Sequence, residues 1–256
     1  GSLSALAFAF SAIPCLFLLI VSIIVYQTKS YKDVAPSLYG IRFSLTRSIV
    51  GLGGQFFVIM VSMLFVFQFV NIILSRLQGP EAVTQYNITY KYFNVLNMIV
   101  NIVLNPFWSA FTDAYIKKDY DWMRSVLNKL EKMWLLCIPV LLLMLVSSNF
   151  LYKLWIGDSV IISFSLSVCM AIYVLCQTGG NIYMYLINGT SKVRLQLIVY
   201  LLFALISLPL IEYCCKYCGI EGVLIVPAVA FVLQACIGRI QILKMINGTA
   251  KGIWLK

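Results

Sequence analysis

Six polar side chains recur along one apolar stretch of this chain. Asn87, Lys91, Asn94, Asn97, Asn101 and Asn105 are spaced by 4, 3, 3, 4 and 4 residues. At about 100° per helical residue they fall within roughly 120° of one face. A polar face is not turned to hydrocarbon cheaply, so the stripe must meet other helices or a water-filled cavity. Amide-to-amide bonding between helices is one reading, at about 0.6 to 2 kcal/mol per bond. Six groups over about five turns exceed what packing needs, which favours the wall of a cavity. Lys91 either reaches that water or snorkels to the nearer interface.

Shorter polar rows stand on two other apolar runs: Gln68, Asn71 and Ser75 on the second, and Tyr173, Gln177, Asn181 and Asn188 on the fifth. For these rows the packing and cavity readings stand level. Arg76 and Lys91 flank the Gly79-Pro80 turn between the second and third runs. Both are cations that an anionic passenger could use. The Asn105-Pro106 step removes one helical hydrogen bond, and is read as a helix terminus in preference to a hinge.

Chemistry of other kinds finds few candidates. The chain has 8 cysteines and no histidine, and only Cys214, Cys215 and Cys218 cluster. Without a second thiol pair at ligand spacing, these read as helix-end cysteines and no metal is assigned. All nine Asp and Glu residues lie in connectors or at helix ends. With no buried carboxylate pair and no glycine-rich phosphate loop, this portion is read as neither an enzyme nor cofactor-dependent.

The elements that must carry these rows are seven apolar runs, at about 3–26, 54–77, 88–110, 133–153, 158–184, 195–213 and 220–243. Each is near the roughly 20 residues that a helix needs to cross hydrocarbon. With 62% hydrophobic residues, 11% charged residues and a mean hydropathy of +0.94, lipid is the expected solvent. A β-barrel would need runs half as long with strict alternation. The first run lacks a basic start and is too long for a signal peptide, so it reads as a span.

Charge orients the spans. Of the 19 Lys and Arg residues, 15 lie in alternate connectors: Lys29 to Arg47, Lys117 to Lys132, Lys192 and Arg194, and Arg239 to Lys256. The other connectors hold Arg76, Lys91, Lys153 and Lys216. Cytoplasmic loops retain basic residues, so the first residue is expected outside and the last in the cytoplasm. The net charge of +10 is therefore a topology signal, and no nucleic acid is expected as partner. In the longest connector, Ile41, Leu45, Ile49, Leu52 and Phe56 recur at helical spacing opposite Arg42 and Arg47, which predicts a short helix in the cytoplasmic interface. Trp122, Val126, Leu130 and Met133 repeat that pattern. The chain opens directly into an apolar helix without an initiator Met, and is expected to be a piece of a longer protein.

The stretch from Gly79 to Phe93 (GPEAVTQYNITYKYF), continuing through Asn105 to Tyr115 (NPFWSAFTDAY), resembles the seventh and eighth helices of Wzx-type polysaccharide flippases of the MATE-like exporter superfamily. The connector from Asn188 to Lys192 and the tail from Ala250 to Trp254 are similar as well. The resemblance implies an all-α polytopic membrane bundle forming the second lobe of a two-lobe transporter. Residues 1–26 would be the last helix of the first lobe, 27–53 the cytoplasmic connector, and 54–256 the second six-helix lobe and tail.

It further implies transport of undecaprenyl-diphosphate-linked oligosaccharide across a bacterial cytoplasmic membrane by alternating access. Membrane lipids and polysaccharide assembly proteins would be the remaining partners. The route would run past Gln68, Asn71, Arg76, Asn87, Lys91, Asn94, Asn97, Asn101, Asn105, Gln177 and Asn181. Two other classes are weighed against it. A MATE-type drug or cation antiporter usually couples through intramembrane carboxylates, and this portion has none. A membrane glycan polymerase or ligase would carry its catalytic groups on a large outside loop, and the outside connectors are short.

Overall fold

A computed structural model describes residues 3–28, 31–36, 43–157 and 160–255. Lys29, Ile41, Arg42 and Lys256 of the sequence reading lie outside the described residues, as do the side chains of Leu45, Arg47 and Ile49. The described residues form helices and turns with no strand. Six helices are long and apolar enough to cross a membrane, as in a multi-pass membrane protein: α1 (Leu3–Gln27), α2 (Phe43–Leu77), α3 (Pro80–Lys117), α4 (Tyr120–Ile156), α5 (Phe164–Thr190) and α6 (Arg194–Ile246).

The chain divides into two compact units, residues 1–50 and 51–256. In the first, α1 is apolar on every side, with Phe8, Phe10, Phe17 and Ile20 all exposed. A helix without a polar face has lipid or protein as its solvent. It ends where the Thr28 hydroxyl donates to the Val25 carbonyl at 2.6 Å, followed by a single 3-10 turn at Lys32–Val34. α2 is helical from Phe43 to Leu77.

In the second unit, α5 is the element most deeply enclosed, with 18 of its 27 residues buried. Its glycines let neighbours close in. A Cβ on Gly179 would lie 2.9 Å from the Trp134 indole nitrogen, and one on Gly180 would lie 3.0 Å from the Phe231 ring. The core around it draws Phe93, Leu104 and Phe111 from α3, Met123 and Leu127 from α4, and Ile211 and Phe231 from α6.

The connections are tight. Gly79 supplies a φ of 87° before Pro80 opens α3 at its first turn. Lys118 is left-handed, and Asp119 caps α4 by accepting from the Trp122 amide at 3.0 Å. Pro106 does not end α3, which continues to Lys117; Phe111 and Ala114 beyond it are buried, and this packing offsets the lost hydrogen bond. At 38 residues α3 is about 57 Å long, well past the roughly 30 Å of hydrocarbon.

The sixth and seventh apolar runs merge into α6, which breaks at one residue, Gly219, with φ 66° and ψ −146°. Beyond it Gly222 is pressed on the Cys214 carbonyl, and the Tyr200 hydroxyl donates to Gln234 Oε1. The two arms of α6 are therefore an antiparallel hairpin.

The connectors of this unit sort by charge as they sort by end. At one end Arg124 donates to Asn247 Oδ1 at 2.5 Å, Thr112 to the Gly189 carbonyl at 2.7 Å, and Gln241 to the Lys192 carbonyl at 2.9 Å. These bonds gather the basic connectors. At the other end Ser163 and Ser165 donate to Glu221 Oε1, at 3.3 and 2.6 Å, and Gln78 donates to the Cys215 carbonyl.

Candidate functional site

The amide row of α3 is divided among three surroundings. At one edge Asn97 is buried, 7% exposed, and Asn181 of α5 is 4% exposed. Asn181 Nδ2 donates to both Asn97 Oδ1 and Asn101 Oδ1, each at 3.0 Å, and Asn97 Nδ2 donates to Asn94 Oδ1 at 3.0 Å. Four asparagines thus form one network across α3 and α5. Nearer the Gly79 end, Asn87 Nδ2 donates to Asn71 Oδ1 of α2 at 3.1 Å and to the Val83 carbonyl at 2.8 Å. Asn94 and Asn101 are half-buried, while Lys91 and Asn105 stand exposed on the adjoining face. The row runs from interhelical bonds at one edge to an open face at the other.

Of the other expected positions, Gln68 and Arg76 are exposed on α2. Gln177 is buried on α5 away from solvent, with no donor on its Oε1. Arg76, Gln68 and Gln177 are not brought into the asparagine network.

One aromatic residue extends the row. Trp108 lies one turn beyond Asn105, partly exposed, its ring 6.0 Å from Phe56 of α2 and 5.9 Å from Tyr185 of α5 in an edge-to-face contact. Its backbone touches α5 where Gly189 stands, since a Cβ there would lie 2.8 Å from the Trp108 carbonyl. Trp108 follows Asn94, Asn97, Asn101 and Asn105 at helical spacing, which is the signal that would have found it.

A second polar group was not legible in any single run. Glu131 of α4 accepts at one carboxylate oxygen from Arg239 Nε of α6 at 2.9 Å and from the Tyr183 hydroxyl of α5 at 2.7 Å. Arg239 is half exposed, so the pair adds no more than about 1 kcal/mol, and its effect is to set three helices in register.

A third group lies where α5 meets the α6 hairpin. Gln196 and Tyr200 on one arm and Gln234 and Gln241 on the other are all buried. Among the described residues, no three His, Cys, Asp or Glu side chains converge as metal ligands, and the cysteines are free thiols. Around α3 the site offers amide donors and acceptors, one cation and an aromatic face. These are groups for reversible hydrogen bonding and stacking. Comparison with family models, with curated proteins and with solved structures finds no match to this chain.

Proposed function

We propose that the chain belongs to a transporter that carries undecaprenyl-diphosphate-linked oligosaccharide across the bacterial cytoplasmic membrane. The observation that carries the reading is the α3 row, in which half-buried and exposed amides follow one another beside a single lysine and a tryptophan. Sugar hydroxyls need neutral donors and acceptors, the faces of sugar rings stack on indole, and a diphosphate needs a cation. The prenyl tail can stay in lipid. In this reading α6 crosses the membrane twice, giving seven crossings, and residues 54–256 are the second of two lobes that rock about the cargo.

The test replaces Asn94, Asn101 and Asn105 together by Leu, which leaves the Asn181 to Asn97 bond in place. Surface polysaccharide is expected to be lost while the protein remains in the membrane at parental level. Undiminished export would overturn the reading and leave the row as packing.

The same reading sets orientation. The basic end of the bundle lies in the cytoplasm and the Gly79 end outside. In a background without native cysteines, Gly157→Cys should label from outside and Ser191→Cys only after permeabilisation, and labelling of both from one side would refute it.

A further inference from the structure

One face of α4 is continuous over its second half. Ile138, Leu142, Leu145, Asn149, Tyr152 and Lys153 are spaced by 4, 3, 4, 3 and 1 residues. At about 100° per residue they fall within about 100° of arc. The first three are apolar, and the row turns polar at Asn149 and Lys153.

Two hollows lie along this face. The inner one, about 160 Å³, is a groove between α4 and α5 in which Ile138, Leu142 and Leu145 face Val168, Ile172 and Leu175. Among the described residues, no polar side chain lines it. The outer one, about 420 Å³, is lined by Asn149, Tyr152, Lys153 and Gly157 at the end of α4 and by Ile162 ahead of α5. The Tyr152 and Ser167 hydroxyls bond at 3.2 Å and fix the two helices against each other at this level. An apolar groove thus leads along the helix pair toward a pocket with a polar rim.

The end of α4 sets the depth of each hollow. Lys153 and Trp155 are both exposed there. Exposed Trp and Lys near a helix end mark the interface of a bilayer. With Lys153 at the headgroups, the groove lies about 12 to 22 Å further in, the depth of an acyl chain in that leaflet. Lys153 is also one of four Lys or Arg residues in the connectors poor in positive charge. It interacts within the protein, but an ammonium carries three donors, so one contact does not exhaust it.

The occupant must therefore join an anionic or hydrogen-bond-accepting head to an apolar chain that lies along the helices. A polypeptide segment does not fit, because the groove has no polar group for its backbone. We infer that this face of α4 and α5 is a binding site for one glycerophospholipid, with its phosphate at Lys153 and Asn149 and one acyl chain in the groove. Phosphate oxygens accept charge-assisted bonds from an ammonium, and the groove exchanges apolar surface with the chain. The inference needs a bilayer around α4 and α5 and does not depend on the identity of the cargo.

The test mixes the purified chain in detergent with palmitoyl-oleoyl phosphatidylglycerol and counts retained lipid by native mass spectrometry. One phospholipid per chain is expected to stay bound. Diacylglycerol with the same chains, which lacks the phosphate, is expected not to displace it. Lys153→Gln should weaken binding about tenfold, the weight of one charge-assisted hydrogen bond, and Lys153→Arg should restore it. Val168→Phe fills the groove from a half-buried position and should weaken binding to a similar degree. Leu143→Trp, exposed on another face of α4, should bind as the parent does. Lys153 and Leu143 are both exposed, so their variants report on the site even where Val168→Phe fails to fold. The site would be overturned by absence of retained phospholipid, by displacement with diacylglycerol, or by parental binding in Lys153→Gln. Equal weakening by Leu143→Trp, the behaviour of a lipid in the general annulus, or preferred retention of a polyprenyl phosphate would overturn it as well.

Discussion

Lys91→Glu is expected to stop export of lipid-linked oligosaccharide, Lys91→Gln to reduce it severalfold, and Lys91→Arg to leave it close to the parent. Lys91 is exposed on α3, one turn beyond the Asn87 to Asn71 bond and beside the half-buried Asn94. No hydrogen bond of the asparagine network includes it. Reversing its charge therefore leaves the network intact and places a negative charge on the open face of the row. On the proposed reading, a diphosphate passing within a Debye length of about 8 Å would meet repulsion there in place of attraction. The measurement is flipping of a lipid-linked oligosaccharide in proteoliposomes at matched protein content. Equal flipping by Lys91→Glu and the parent would assign the lysine to lipid headgroups, where long cationic side chains commonly reach.

Gly222→Ala should have the largest effect on folding. The chain reverses at Gly219 within a single residue, and the returning arm is pressed against the outgoing one so closely that a Cβ on Gly222 would overlap the Cys214 carbonyl. The obstacle is backbone, which cannot rotate aside as a side chain can. Overpacking against movable side chains costs about 1 to 3 kcal/mol, and here the hairpin itself must open, so a loss of at least about 3 kcal/mol follows. Separation of the arms would also part Tyr200 from Gln234 and expose the buried amides of α6. Loss of folded protein in detergent and rapid proteolysis in the α6 turn are the expected readouts. A variant that melts with the parent would show that the arms are not so closely packed.

The helical architecture was legible in composition and in run length, because a segment apolar on all sides has no alternative to a helix in lipid. Boundaries were less legible. Glycine does not mark a boundary here: Gly51, Gly53 and Gly54 lie inside α2, because glycine weakens a helix by only about 1 kcal/mol. Pro106 was read as a terminus, yet α3 continues, because packing of Phe111 and Ala114 lies outside the local window. Of the polar rows, the α3 stripe was visible by its spacing, and so was its partner Asn181 on α5 as a row member. That Asn181 bridges Asn97 and Asn101, while Asn105 does not join them, depends on how α5 is turned against α3.

The glutamines of α6 show the same division in sharper form. Gln196 and Gln241 lie in apolar runs 45 positions apart; Gln196 is the one amide of its run, and Gln241 shares its run with Gln234 alone. Periodicity reports which residues share a face of one helix, so it could determine that α3 has a polar side and that α1 has none. Connector charge could likewise determine which loops belong together, since that signal is additive along the chain. Only the tertiary structure decided which amides meet. A glycine break at Gly219 folds one arm of α6 back on the other, and that long-range reversal brings Gln196 and Gln241 to one cavity beside the end of α5.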